Sequence, residues 1–275
     1  MKAFVSVDLE GMPYIVSREH LHLKGSLYNE ARKVMTEVTI CAAEKLRAMG
    51  FDEVIIADSH GSMVNILVDN LPDYVHLLRG FPRPVSMVAG IEECSVALFL
   101  GYHAKINTAK STFDHTYSGS AFELVEVNGT PASEYLLNAY VAGHYGVPVI
   151  LVAGEEKLLE DVKKSTPWAE TIPFKRSYSR YAAISPSLSK IKRDLAEAVE
   201  RAVKKYENGE TLPLKADYPV KIKIRFTNSA MADIADLLPF VKRIDGKTIE
   251  YSSKDIVEAY KIMELLAMAG YSVLR

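Results

Sequence analysis

Cysteine is nearly absent from this chain of 275 residues: there are 2, Cys41 and Cys94, and no Cys-x-x-Cys pair. That excludes a disulfide-stapled scaffold and a thiolate zinc cluster, and leaves both as inert buried thiols. Charge of one sign is lacking too. Lys and Arg number 33 against 35 Asp and Glu, a formal net charge of -2, and no basic stripe is interleaved with aromatics, so nucleic acid is excluded as a partner. Long hydrophobic runs are missing. The stretch from Val147 to Ala153 is far too short to cross a bilayer, and Asp8 and Glu10 break the first apolar run before it reaches signal-peptide length. The expectation is a soluble, cytoplasmic protein with no membrane partner. No internal repeat or low-complexity tract occurs, and 48% hydrophobic against 25% charged residues suits a globular chain with a large core.

What is present is a recurring pattern of apolar strands that end in ionisable residues. Ala3 to Val7 runs straight into Asp8-Leu9-Glu10-Gly11. Side chains alternate along a strand, so Asp8 and Glu10 project to one side where the strand ends. Two carboxylates held together call for a cation, a shared proton or a basic partner. By itself this motif also reads as an ordinary turn. The pattern then repeats: residues 53–57 lead into Asp58-Ser59-His60-Gly61, and residues 95–100 lead into Gly101-Tyr102-His103. Open parallel sheets place ligand sites beyond the carboxyl ends of their strands, so one shared crevice is expected. Mixed carboxylate and imidazole groups suit zinc or another first-row divalent metal, whereas calcium would take oxygen alone.

The intervening sequence predicts an α/β fold, a largely parallel sheet flanked by helices. Residues 26–49 have helical apolar spacing closed by Gly50, and the strand at 53–57 follows at once. A short strand at 75–79, a short helix at 85–90 and the strand ending at Leu100 continue the alternation. Residues 101–119 read as a long functional loop. Phe122 to Val127 forms a strand that turns at Asn128-Gly129, and Pro131 is expected to open a helix running to about His144. A strand at 147–153 and a helix at 154–164 follow. Past residue 165 the texture changes, with Trp168, the basic stretch Lys175-Arg176 to Arg180, and Ser185-Pro186 opening a helix at 187–207. A boundary is therefore expected there, separating a metal-binding catalytic domain (1–165) from a smaller α+β portion (166–275) that takes part in oligomerisation. Residues 219–226 alternate Lys and Ile, a half-solvated strand. The last helix, 253–269, is apolar over more than one face, which fits either a core position or a subunit contact.

Of seven histidines, His20, His22, His76 and His144 have no supporting context. His60 and His103 follow buried strands, His115 lies in the long loop, and Glu134 falls in a first helical turn. Together Ser-Val-Asp-Leu-Glu-Gly at 6–11, Asp-Ser-His at 58–60, Gly-Tyr-His-Ala at 101–104, His115-Thr116 and Glu134-x-x-x-Asn138-Ala139-Tyr140 resemble the zinc-dependent D-aminopeptidase family associated with bacterial dipeptide-transport operons. The resemblance runs in order over at least residues 1–155. It implies a peptidase with two zinc ions per subunit, Asp8, Glu10, His60, His103 and Glu134 falling on metal-ligand positions and Asp8 bridging. His115 falls on the catalytic position, as proton shuttle or as nucleophile. Asp58 is read as a partner of the ligands or a loop former. The chemistry so implied is release of an N-terminal, D-configured residue from a short peptide by a metal-activated water. A ring-like homo-oligomer enclosing the active sites is implied as well.

The sequence departs from that family at Ser133, where glycine is expected, at Met12-Pro13-Tyr14 after Gly11, and by about one residue more between His103 and His115. These bear on the shape of the pocket. Two other readings use the same residues. A two-metal phosphoesterase would want an Asn-His pair, more aspartates and a Gly-rich phosphate loop. A non-catalytic α/β binding protein would hold no metal.

Overall fold

The computed structural model describes residues 1–69 and 71–274. The first half runs β1 (Lys2–Val7), α1 (Tyr28–Ala48), β2 (Glu53–Asp58), β3 (Val75–Leu78), β4 (Val96–Tyr102), β5 (Phe122–Val127), β6 (Thr130–Pro131) and α2 (Glu134–His144). Next come β7 (Val149–Glu155), α3 (Glu156–Ser165), β8 (Glu170–Ser179), β9 (Ala182–Ile184) and α4 (Leu188–Glu207). The chain closes with β10 (Val220–Phe226), α5 (Ser229–Ala235), β11 (Lys242–Arg243), β12 (Thr248–Ser253) and α6 (Ile256–Tyr271).

Seven strands form the first sheet in the order β3-β2-β1-β4-β7-β8-β9, parallel throughout except for β9. The α/β class and largely parallel sheet expected from the sequence are what the structure has. The alternation of β1 divides the core: Ala3, Val5 and Val7 pack beneath α1 and α4, while Phe4 faces the opposite layer with α2, α3 and α6. That second layer is completed by an antiparallel sheet, β11-β12-β10-β5-β6. The β10 residues Val220, Ile222, Ile224 and Phe226 are buried there, while Lys221 and Arg225 point to solvent, the half-solvated strand expected from its period of two. Layers are not consecutive segments of chain. On either side of residue 165, β8 and β9 return to the parallel sheet, and β5 and β6 already belong to the antiparallel one.

One local expectation is corrected. Pro131 does not open α2; it ends β6, and α2 starts at Glu134 under Ser133, whose Oγ accepts from Leu136 N at 3.2 Å. A side-chain acceptor satisfies one of the orphan amides of the first turn, which proline at that place could not do. The basic stretch near Lys175, given no element in the sequence, lies in β8, where Glu170 to Lys175 pair with β7 and Arg176 to Ser179 with β9. Pro173 and the charged residues disguised it.

In the parallel sheet β1 has β2 on one side and β4 on the other, and the chain changes direction across it. This is the topological switch point, where a crevice opens beyond the strand ends. Main-chain bonds extend the pairing past β1: Asp8 N donates to Leu100 O at 2.9 Å, Ser59 N to Val7 O at 2.8 Å and Gly11 N to Gly101 O at 2.7 Å. Glycine is required where the backbones approach this closely. A Cβ on Gly154 in β7 would sit 2.0 Å from Tyr102 O, whereas one on Gly246 would meet nothing within 4 Å. Gly154→Ala should therefore lower the urea-unfolding free energy by about 1–3 kcal/mol, the usual cost of overpacking. Gly246→Ala should stay within ~0.5 kcal/mol of wild type.

Candidate metal centre

The strand ends deliver their side chains to one point. Asp8 and Glu10 follow β1, His60 follows β2, His103 follows β4, Glu134 comes from the first turn of α2 and His115 from the loop after β4. His60 Nδ1 lies 3.2 Å from Asp8 Oδ1 and 2.9 Å from Glu10 Oε2. His103 Nε2 lies 3.5 Å from Asp8 Oδ2 and 3.6 Å from Glu134 Oε2. His115 Nε2 lies 3.3 Å from Glu134 Oε1, and its ring stacks on His103 with centroids 4.4 Å apart. All six residues singled out in the sequence are thus neighbours, including His115, which the loop folds back on to the others.

Each imidazole is pinned through one nitrogen by a main-chain carbonyl. His60 Nε2 is 3.0 Å from Leu21 O, His103 Nδ1 3.0 Å from Ala104 O and His115 Nδ1 2.8 Å from Phe113 O. A donor bond there fixes the tautomer and turns the other nitrogen, with its lone pair, toward the carboxylates. Asp58 is the loop former of the pair foreseen for it. Its carboxylate accepts from Asn65 N at 2.5 Å and Ile66 N at 2.7 Å, while Asn65 Nδ2 donates to His60 O at 2.8 Å. Behind β1 and β4, Tyr102 OH bonds Ser6 Oγ at 2.7 Å and takes a bond from Asn138 Nδ2 at 2.9 Å, a buried support beneath the cluster.

Electrostatically the cluster is poised for a cation. Burial, then the charge of Glu10, pushes the Asp8 carboxyl up to about 6. Burial opposes charge on Glu10 too, yet His60 and His115 hold it well below the usual carboxylate range. Burial opposes the His103 imidazolium, and Glu134 overrides it, raising the ring to about 10. His60 is likewise raised, burial being overcome by Glu10 and Asp8. Protons on imidazole therefore do the neutralising when no metal is bound. Two atoms remain unserved even so: Asp8 Oδ2 and His103 Nε2 are buried without a hydrogen-bond partner although they face each other. Buried polar atoms are seldom left unpaired, and a metal coordinated by both would satisfy them. Three overlapping groups have their donor atoms within 4.8 Å of one another: Asp8, Glu10 and His60; Asp8, His103 and Glu134; Glu10, His103 and His115. The donor set fits a divalent first-row cation.

A cavity of about 430 Å³ opens over the cluster, walled by Met63, Phe81, Met87 and, from α6, Ala267, Met268 and Tyr271. His22 also lines it, a residue without context in the sequence. Lys175 was missed as well. Its side chain is buried, burial pushes it down to about 7, and its Nζ reaches the loop that carries Glu10.

The D-aminopeptidase family model matches residues 1–265. The chain belongs to the D-aminopeptidase family. A curated relative, the D-aminopeptidase of Bacillus subtilis (strain 168), is 34% identical over 266 residues, covering 96% of this chain and 95% of the relative. A solved structure, the Zn-dependent D-aminopeptidase DppA from Bacillus subtilis, described as a self-compartmentalizing protease, superposes with a TM-score of 0.93 at 31% identity over 98% of each chain.

Two departures from the D-aminopeptidase pattern find a use here. Ser133 is the cap of α2, and Tyr14 ties its loop down through Ser185 Oγ at 3.2 Å and Pro186 O at 2.7 Å. The raised His103 makes a pH prediction for this D-aminopeptidase. Its folded value of about 10 exceeds an unfolded value near 6.5, so its stabilisation is complete below ~6.5 and lost as pH rises through 10. Asp8, raised to about 6, loses its share as pH rises through that value. Thermal melting of the metal-free protein should thus fall between pH 6.5 and 10, and His103→Gln should flatten that slope.

Proposed function

We propose that this chain is a zinc aminopeptidase that releases the N-terminal, D-configured residue of short peptides, with Asp8, Glu10, His60, His103 and Glu134 holding two zinc ions and His115 handling a proton. The observation that carries this reading is the meeting of these side chains at the sheet's switch point around two unpartnered buried atoms, Asp8 Oδ2 and His103 Nε2. Support for two ions comes from the grouping of donors. Asp8 belongs both to the set with Glu10 and His60 and to the set with His103 and Glu134, as a bridging carboxylate must.

Zinc in such a site supplies Lewis-acid polarisation of the scissile carbonyl and activation of water for attack. The chain supplies the rest. Asp8, Glu10, His60, His103 and Glu134 would hold the ions, and a substrate's free amino nitrogen, unlike an acylated one, keeps a lone pair with which to reach them. His115 Nδ1 is committed to Phe113 O, so proton transfer falls to Nε2, which faces Glu134 Oε1. Glu134 Oε1 is itself oriented by Tyr117 N at 2.7 Å. The apolar walls from β2–β4 connections and α6 exclude water and take the substrate's side chains.

We place the protein in the cytoplasm as a homo-oligomer. Its two cysteines are unpaired, and none of the described helices is long and apolar enough to cross a membrane. Exposed apolar side chains such as Leu237, Phe240 and Leu265 support assembly with further copies, as the description of the Bacillus subtilis structure suggests.

Metal analysis of the purified protein should find zinc, separating this reading from a metal-free binding protein. Zinc-loaded enzyme should cleave a D-aminoacyl amide, spare its N-acetylated form and leave a nitrophenyl phosphate intact. Equal cleavage of capped and free amides would sink the aminopeptidase mechanism, and preference for the L-isomer would remove only the stereochemical part. His115→Ala should keep its zinc while losing ~10² to 10⁴-fold in kcat, the range of acid–base catalysis. Loss of zinc in that variant would reassign His115 as a ligand.

A further inference from the structure

The loop from Glu10 to Ile15 has to be held in one conformation, because it fixes where the Glu10 carboxylate stands. Gly11 anchors one end against Gly101, and Tyr14, at φ 69°, is tied to the segment Ser185-Pro186. Its inner side faces a single ammonium group. Lys175 Nζ donates to Glu10 O at 2.5 Å and to Ile15 O at 2.6 Å, bridging the two ends of the turn. The same ammonium lies 5.5 Å from the centre of the Phe113 ring, two residues before His115 in the other functional loop.

Lys175 reaches this place through an irregularity in its strand. In the pairing of β7 with β8, Gly154 stands opposite Pro173 but Glu155 stands opposite Lys175, so Phe174 is an extra residue. A bulge of this kind re-aims side chains next to functional sites. Phe174 and Lys175 are consecutive yet both buried, at 0% and 1% exposure, against the alternation a regular strand would give. A lysine so buried is rare without a specific partner set. Here the set is two main-chain carbonyls for which the described residues offer no other donor.

We infer that Lys175 is a positioning residue of the metal centre: its ammonium closes the Glu10–Ile15 turn and so fixes the Glu10 carboxylate, and it seats the Phe113 loop that presents His115. This rests on the reading of the cluster as a zinc site. It assigns a role in the site to a residue from the second half of the chain, beyond the ligands themselves.

The test is zinc affinity by chelator competition in wild type, Lys175→Met, Lys175→Gln and Lys175→Arg, with melting of the metal-free proteins alongside. Lys175→Met keeps the apolar stem and removes the donors. It should fold, with a zinc dissociation constant ~10 to 100-fold above wild type, the range for groups that orient metal ligands. Lys175→Gln should fall between Met and wild type, and Lys175→Arg, which keeps charge and donors, should recover affinity over Met. At saturating zinc, kcat of Lys175→Met should drop more than KM rises, because the displaced groups serve the reaction rather than the peptide's side chains. Wild-type zinc affinity in Lys175→Met overturns the inference. If Lys175→Met does not fold, wild-type affinity in Lys175→Gln overturns it equally. Absence of zinc binding by wild type would instead overturn the zinc reading on which it stands.

Discussion

Three carboxylates buried within reach of one another set the terms for this molecule. Like charges ~4 Å apart repel by about 4 kcal/mol at an effective dielectric near 20. With three such groups the repulsion rivals the whole stability of a domain, ~5 to 15 kcal/mol. Asp8, Glu10 and Glu134 can therefore stay together only beside compensating positive charge, and the fold places His60, His103 and His115 among them. The response of each acid shows how the compensation is divided. Glu10, which faces His60 and His115, is held anionic, whereas Asp8, next to Glu10 and deepest in the site, is driven toward its neutral form. A cation shared by Asp8 and its neighbours would relieve both the repulsion and the unpaired atoms at once.

The imidazoles can act as proton carriers or as lone-pair donors because the backbone has already decided which nitrogen is free. Leu21 O, Ala104 O and Phe113 O each take up one ring nitrogen, and all three carbonyls sit in loops that follow strands or precede α1. The stacking of His115 on His103 separates their tasks by geometry alone. His103 is fully enclosed, with Asp8 and Glu134 both near its Nε2, whereas His115 lines the open cavity. The ring that lines the cavity is the one suited to moving a proton, and the enclosed one is suited to holding a metal.

The cluster was legible in the sequence to the extent that strand ends were. Asp8, Glu10, His60 and His103 each follow an apolar run with strong β character, and a parallel sheet must bring such ends together. Glu134 was read in a first helical turn and His115 in a long loop, but their places in the site came through resemblance to a family, since neither follows a strand. Local chemistry misled at Pro131, where the Asn128-Gly129 turn continues into a second short strand before Ser133 caps α2. Lys175 was out of reach for a different reason. Its direction depends on a bulge against β7, and pairing between strands is not written in the composition of either one. The antiparallel sheet was half seen: β5 and β10 were read as strands, but their partnership joins residues almost a hundred positions apart.

That long-range partnership decides how the site is enclosed. Because β5 and β6 leave the parallel layer and pair with β10, α2 is delivered to the cluster from the antiparallel side, and α6 packs against α2 to wall the cavity. The clustered carboxylates and imidazoles thus come from residues 8–134, while Ala267, Met268 and Tyr271 shape the space above them. Ala267, Met268 and Tyr271 carry no carboxylate or ammonium, so the volume above the cluster can change without altering the charges below. Ser118 marks the joint between the two parts: its hydroxyl bonds Tyr271 OH at 2.8 Å, three residues beyond His115. A shift of α6 would therefore be felt first at the loop that carries His115 and only afterwards at Asp8, Glu10, His60 and His103, which follow strands of the sheet.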